Sequence, residues 1–361
     1  MSGSPVRPDG LDILSAPFRA TEVVAVPSGI AGNGLREDVP RSLLYAKGLQ
    51  DRVFALVTRG SGTIVLTIML LVGVFLRIKC FPALSAAKFG FLTTQAWDPN
   101  SGVFGIAAVL AGTIFIALTA ISIAIPLATG TALYISEYAP PKIKQALITV
   151  IDLMAAIPSV VYGLWGLFLL QPSILDLAKW ISTYFGWIPM FHVTGFDPNN
   201  PLASATIFTA STFVAGLVVA MMVAPIVSSI MREVFTQAPI GEREGALALG
   251  ATRWGMIRSV VLPFGRGGMI GGTMLGLGRA MGETIAVYLI ISPVFTIQPH
   301  ILEKGSNSIS ALIALRYSEA SPFEISALMG AGLVLFLMTL VVNFGASFII
   351  ARSRSGASSD G

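Results

Sequence analysis

Long apolar runs separated by short polar connections are the dominant pattern of this sequence. A bilayer core of ~30 Å requires about 17–25 apolar residues in a helix, and several runs meet that length. They cover residues 60–76, 103–128, 147–170, 205–230, 268–292 and 325–350. We therefore predict an all-α integral membrane protein with about six transmembrane helices.

The segments outside these runs divide the chain into three parts. Residues 1–58 mix Pro, Gly, Ser and charged residues, with neither a sustained apolar core nor the pattern of a secretory signal peptide. We predict a poorly ordered cytosolic extension there, a transmembrane domain over residues 59–352 and a disordered tail over residues 353–361.

Composition and charge support a membrane location. The chain is 54% hydrophobic and only 12% charged, whereas soluble domains carry roughly 25% charged residues. Lys and Arg concentrate in the N-terminal segment, after the second and fourth runs, and in the C-terminal tail, with Arg77 and Lys79 as exceptions. This bias predicts that both termini are cytoplasmic. The net charge of +4 is not gathered into a patch, so we expect no nucleic-acid partner.

Prolines fall inside three of the runs, at Pro126, Pro158 and Pro225. Proline removes a helical hydrogen bond, but a membrane helix tolerates it where neighbouring groups satisfy the freed carbonyl. We expect bent, closely packed helices.

The predicted cytosolic loop between the fourth and fifth runs, about residues 235–264, has a helical pattern of its own. Its apolar residues fit a short helix, a turn near Gly250 and a second helix that Pro263 ends. We predict a structured helical hairpin at the membrane surface, where it would need a partner to pack against.

Small residues recur at every fourth position of the fifth run. Residues four apart share one face of a helix, and small side chains there let another helix approach closely. We predict helix packing as the role of this stripe, which consists of Gly268, Gly272, Gly276 and Ala280.

Arg279 and Glu283 are the charged residues of the fifth run. Their spacing places them on one helix face, where they can touch. If the helix begins near Gly268, Arg279 lies about 16 Å along it, near the bilayer midplane. A charge there costs about 2.5–3.5 kcal/mol, so both residues should face protein or a wet cavity. The chemistry leaves two interpretations open: the pair pins the helix, or Arg279 binds a passing anion and Glu283 holds Arg279 when the site is empty.

The chain has no residue cluster that predicts catalysis or metal binding. His192 and His300 are far apart in sequence, and Cys80 is the single cysteine. No Gly-x-x-x-x-Gly-Lys-Ser/Thr segment occurs, so no phosphate-cradling loop for a nucleotide is present. We therefore expect no metal site, no catalytic residue and no cofactor bound by this chain.

The predicted cytosolic loop resembles the signature loop of ATP-binding-cassette importer permeases. That signature is Glu-Ala-Ala, three residues, Gly, nine residues, an aliphatic residue, any residue and Leu-Pro. This chain matches the spacing with Glu244-Gly245-Ala246, Gly250, Val260 and Leu262-Pro263. Gly245 replaces the usual Ala, which loosens the helix by roughly 1 kcal/mol. In the family this loop docks on the ATPase subunit and transmits its motion.

Two more stretches resemble the PstC-type permease of phosphate importers. They are AIPSVVYGLWG, residues 156–166, and GLGRAMGET, residues 276–284, within a similarity that extends over about residues 64–350. The family's Arg and Glu that match Arg279 and Glu283 are implicated in transport. The resemblance thus favours the anion-path interpretation of these two residues.

The resemblance implies a type I (MetI-like) importer permease in a bacterial inner membrane, with no enzymatic activity of its own. Its expected partners are a second, PstA-like permease, a PstB-like ATPase dimer that binds ATP and Mg²⁺, and an extracytoplasmic PstS-like phosphate-binding protein. The implied function is import of inorganic phosphate by alternating access, with the loop over residues 244–263 as the link to the ATPases.

Two alternatives remain open. The chain could serve another oxyanion such as sulfate or molybdate, because selectivity in such systems rests mainly on the binding protein. It could also be an independent secondary transporter, in which Arg279 and Glu283 would relay protons or ions. The signature loop argues against the second alternative.

Overall fold

The computed structural model describes residues 48–197 and 205–354, without the side chains of residues 205 and 351–354. Most of the predicted N-terminal extension therefore lies outside the described residues, as do residues 355–361 of the predicted tail. The first helix begins at Leu49, within the range assigned to the extension.

The described part of the chain is mainly helical. Its α-helices are α1 Leu49–Ala87, α2 Gly90–Thr93, α3 Ala107–Leu133, α4 Pro141–Ala156, α5 Ser159–Trp165, α6 Gln171–Phe185, α7 Thr212–Thr236, α8 Ile240–Ala248, α9 Arg253–Met256, α10 Leu262–Gly282, α11 Ile285–Ile290, α12 Ile309–Arg316 and α13 Pro322–Arg354. Three π turns follow α3, α5 and α9, at Tyr134–Tyr138, Gly166–Leu170 and Ile257–Val261. Single 3₁₀ turns occur at Pro99–Ser101, Pro189–Phe191 and Ala205–Phe208. The strands β1 Trp97–Asp98 and β2 Val103–Phe104 form one antiparallel hairpin.

Among the described residues, six helices or continuous helical stretches are long and apolar enough to cross a membrane, in agreement with the predicted number. They are Leu49–Ala87, Ala107–Tyr138, Ser159–Phe185, Thr212–Thr236, Arg253–Gly282 and Pro322–Ile350. The third and fifth differ most from the predicted runs.

The third stretch, Ser159–Phe185, does not by itself form the third membrane crossing. Its second half lies beyond the beginning of α7, because the Gln171 side chain accepts a hydrogen bond at 3.1 Å from the backbone N–H of Ala210, which precedes α7. Only α5 and the π turn after it therefore lie alongside α7. A further segment must complete the crossing.

That segment is α4. The Ser229 hydroxyl, in the second half of α7, donates to the Asp152 carboxylate of α4 at 3.4 Å. The crossing thus runs over about residues 147–170, as the apolar pattern predicts. It is interrupted at Ile157 and Pro158, whose backbones are extended, because the residue before a proline disfavours helical geometry.

The pair α3 and α7 forms the centre of the helix bundle. In α7, 72% of the most apolar stretch is buried, against 6% in α1. The two helices approach closely because small residues line both: a Cβ on Gly216 of α7 would lie 2.7 Å from Cβ of Thr119 in α3. In α3, buried alanines recur at every fourth position and form a stripe of small side chains: Ala120, Ala124, Ala128 and Ala132.

The predicted stripe of α10 packs on another face of α7. Gly268 lies against Val234, and a Cβ on Gly272 would lie 3.3 Å from the Ile230 side chain. A Cβ on Gly276 would lie 2.6 Å from the Val227 side chain. Ala280, the last of the stripe, is also buried. These contacts run in opposite directions along the two helices, so α10 is antiparallel to α7.

Pro263 does not end the helix that begins at Arg253, contrary to the prediction. The N–H of Leu262 donates to the carbonyl of Ile257, five residues back, and α10 continues to Gly282. A proline ring collides with the carbonyl four residues before it. The wider π turn is a local adjustment that accommodates the ring within a continuous helix.

Replacing Gly276 with Ala should destabilise the bundle by about 1–3 kcal/mol, because the added methyl overpacks the α7–α10 contact. The measurement is thermal unfolding of the purified protein in detergent. Gly345→Ala is the matched control, since a Cβ there meets nothing within 4 Å and both changes raise helix propensity equally. Equal stability of the two variants would contradict the packing described here.

Candidate functional site

The fifth crossing is broken inside the bundle, not continuous as predicted. The α-helix α10 ends at Gly282, Glu283 is extended, and α11 starts at Ile285. The break lies beside the first half of α7. Before the break, Gly276 contacts Val223 of α7; after the break, Ile290 lies near Gly166, which contacts Val218 of α7. Irregular backbone at membrane depth is tolerated where it is buried in protein or lines a wet cavity.

Glu283 is held within the protein at this break. The residue is buried, and its carboxylate accepts the N–H of Ala286 at 3.2 Å, which caps the start of α11. Its backbone carbonyl accepts the Ser310 hydroxyl of α12 at 2.6 Å. Glu283 therefore joins three helix ends.

Arg279 lies one turn earlier and does not pair with Glu283. It is exposed, and among the described residues it has no ion-pair or hydrogen-bond partner. The predicted contact fails because the extended backbone of Glu283 turns that carboxylate away from the face of α10. An unpaired guanidinium in a membrane crossing costs about 2.5–3.5 kcal/mol against lipid, which favours a wet cavity or a partner on that face.

A polar residue that sequence reasoning missed, Asn343, lies beside Gly278, which precedes Arg279 in the chain. The side-chain oxygen of Asn343, in α13, is 3.8 Å from the position of a Cβ on Gly278. Asn343 is exposed in the otherwise apolar run of α13. A lone amide in such a run is the signal that would have identified it.

A non-helical segment between α11 and α12 closes the other side of the break. Its polar residues Ser306, Asn307 and Ser308 are buried. The Thr212 hydroxyl donates to the Ser306 hydroxyl at 3.0 Å, and the Thr113 hydroxyl accepts the N–H of Ile309 at the same distance. The segment is thus fastened to α3 and α7 by hydroxyl groups.

The signature loop forms a helix and a sharp turn, as predicted. Gly250 has φ +86°, which favours glycine, and the N–H of Ala251 bonds the carbonyl of Ala246 while the N–H of Gly250 bonds that of Leu247. These paired bonds form a Schellman motif, the common helix ending that places glycine just past the helix. The Thr252 hydroxyl then caps α9 by accepting the N–H of Gly255 at 3.1 Å.

The outer side of this loop is open. Glu244 and Gly245 are exposed, and the Leu249 side chain is 92% exposed. Ala246, by contrast, packs on the main core cluster. Leu262 and Pro263 lie in the first turn of α10, where they join the loop to the fifth crossing. A nearly free leucine beside a fixed turn is suited to insertion into a partner surface.

Outside these two regions the structure brings His192 and His300 together. Their ring centroids are 5.5 Å apart, and the His300 Nδ1 is 2.8 Å from the Pro189 carbonyl. Their sequence separation gave no sign of this contact. Within residues 48–197 and 205–354, no group of three His, Cys, Asp or Glu residues is arranged to hold a metal ion.

Comparison with known proteins identifies the class of this architecture. Residues 124–355 match the family described as "Binding-protein-dependent transport system inner membrane component". The matched range includes α7, the signature loop and the broken fifth crossing.

Curated relatives match over most of the chain. The phosphate transport system permease protein PstC 2 of Mycobacterium tuberculosis is 37% identical over 311 residues, covering 85% of this chain and 93% of the relative. The phosphate transport system permease protein PstC of Pasteurella multocida is 36% identical, covering 84% and 92%.

The fold recurs in a bacterial alginate ABC transporter solved with an alginate-bound periplasmic protein. Its matched chain has a TM-score of 0.54 and 17% identity, with 83% of this chain and 95% of that chain covered. At this identity the likeness concerns the fold alone: that of ABC importer permeases. The chain belongs to the family of inner-membrane components of binding-protein-dependent transport systems.

Proposed function

We propose that this chain is the permease subunit of an ATP-driven importer of inorganic phosphate. It would work by alternating access, coupled to separate ATPase subunits through the loop over residues 244–263, and would catalyse no chemical step itself. Its partners would be a PstA-like permease, a PstB-like ATPase dimer holding ATP and Mg²⁺, and a PstS-like binding protein. Both termini would be cytoplasmic.

The observation that carries this proposal is the exposed signature loop. It has a fixed shape, set by Gly250 and Thr252, and it presents the nearly free Leu249. A preordered loop with an apolar tip binds a partner at a lower entropic cost than a flexible one. Docking of an ATPase there would pass its motion into α10 through the continuous helix from Arg253.

The relatives support phosphate as the transported solute, because they are named as permeases of phosphate transport systems. The chemistry of the fifth crossing agrees with an anion. Arg279 presents five donors in a planar fork that suits phosphate oxygens. Asn343, which is exposed, supplies a neutral amide beside Gly278, in the same helix as Arg279.

Two alternatives predict different behaviour. A permease for sulfate or molybdate would have the same loop and would also bind its anion through Arg279. Phosphate, however, would not compete with that anion for uptake. A secondary transporter would work without ATP, and collapse of the ion gradients would stop it. Uptake assays with competing anions and with an ionophore separate the three.

Replacing Leu249 with Asp should weaken the binding of the ATPase subunits about 100-fold, because buried interface anchors contribute about 2–4 kcal/mol. The measurement is copurification of the ATPase in detergent, followed by titration of the separated components. Lys142→Glu, which also adds negative charge at an exposed position, is the control and should leave binding unchanged. Full ATPase binding by the Leu249→Asp variant would refute the docking assignment.

Replacing Arg279 with Gln should lower phosphate uptake about 100-fold while the complex stays assembled, since a charge-assisted hydrogen bond contributes about 1.5–3 kcal/mol and the anion loses its countercharge as well. Uptake of labelled phosphate into proteoliposomes measures this. Arg279→Lys keeps the positive charge but lacks the planar guanidinium, so its uptake should lie between those of the wild type and Arg279→Gln. Normal uptake by Arg279→Gln would remove Arg279 from the anion path.

A further inference from the structure

Arg243 connects the signature loop to the helix bundle. It lies on α8 directly before Glu244, yet the two side chains face different surroundings. Glu244 is exposed, whereas the Arg243 side chain is only 19% exposed. The guanidinium is therefore directed towards the bundle and not towards a docking partner.

Arg243 has two partners on different helices. Its Nη1 lies 3.3 Å from the Glu137 carboxylate, whose side chain is 5% exposed and which belongs to the π turn after α3. Its Nη2 donates to the backbone carbonyl of Phe235 in the last turn of α7. The ion pair Lys179–Asp176 differs from it, because it joins residues three apart on one helix and its carboxylate is exposed.

These partners lie where three crossings meet. Glu137 and Phe235 mark the same end of the closely packed pair α3 and α7. The Phe235 ring fills the space beside Gly265, where a Cβ would lie 2.6 Å from it, so α10 adjoins the same point. A force applied at Arg243 would therefore reach α3, α7 and α10 together.

We propose that Arg243, Glu137 and the Phe235 carbonyl form a clamp that fixes α8 to the ends of α3 and α7, so that α8 and these helices move as one unit when the ATPases close. This inference rests on the proposed function of the loop. Arg243 is a positioning residue, since its guanidinium is held by Glu137 and the Phe235 carbonyl at the ends of α3 and α7. The pair stays together because separating buried opposite charges leaves each without compensation.

The clamp assigns different tasks to neighbouring residues of α8. Glu244 and Leu249 face outward for docking, while Arg243 and Ala246 face inward to hold the helix. Docking without the clamp would still allow ATP hydrolysis, but α8 would no longer be tied to the ends of α3 and α7. Loss of the clamp should therefore uncouple hydrolysis from transport without preventing assembly.

The first test measures ATP hydrolysed per phosphate imported by the reconstituted complex. Arg243→Gln and Glu137→Gln should each raise this ratio about tenfold, the scale of a typical coupling free energy. The double variant should be no worse than Arg243→Gln alone, because that single change already removes the contact with Glu137. Lys142→Gln and Glu233→Gln remove matched charges at exposed positions and should keep the wild-type ratio. An unchanged ratio in the single variants, or additive losses in the double variant, would overturn the clamp.

The second test does not depend on the transported solute. Spin labels replace exposed Glu242 of α8 and Leu127 of α3, after the buried Cys80, the single cysteine, is changed to Ser. With Arg243 present, the distribution of distances between the labels should be narrow and the same with and without ATP. In the Arg243→Gln variant this distribution should broaden. An equally narrow distance in that variant would overturn the clamp, whereas failure of phosphate uptake alone would count only against the proposed function.

Discussion

Close contact between helices through small side chains is the constraint on which the rest of this structure depends. Lipid gives helices no hydrophobic reason to associate, so packing contacts and hydrogen bonds must hold them. The Ala stripe of α3, Gly216 of α7 and the Gly stripe of α10 let α3 and α10 approach α7 closely. This rigid centre allows other parts of the bundle to be irregular.

Both candidate functional regions are attached to that centre. The break at Glu283 lies beside α7, and its backbone groups are satisfied by Ser310 and by the start of α11. The signature loop is fixed to the far ends of α3 and α7 by Arg243. A movement of the loop therefore has a packed path to the helix that carries Arg279. Broken helices of this kind supply polar groups at membrane depth without exposing free backbone to lipid.

Sequence reasoning predicted what regular periodicity and fixed spacing determine. The number of crossings, the packing stripe and the turn at Gly250 follow from apolar length, from a four-residue repeat and from the backbone freedom of glycine. Sequence reasoning failed where tertiary contacts determine the local backbone or bring distant residues together. A helical pattern gave no sign that Glu283 leaves the helix to cap α11, so the expected contact with Arg279 does not form. Pro263 was expected to end a helix, but a π turn accommodates it. Long-range pairs such as Arg243–Glu137 and His192–His300 have no local signal at all.

In the proposed mechanism a separate motor drives this bundle through its loop. The most direct measurement is accumulation of labelled phosphate in proteoliposomes with ATP sealed inside, comparing this chain alone with the chain plus its second permease, ATPases and binding protein. We expect accumulation above the external concentration only with the complete set and ATP. Accumulation by the chain alone, or by the complete set without ATP, would refute coupling to a separate motor.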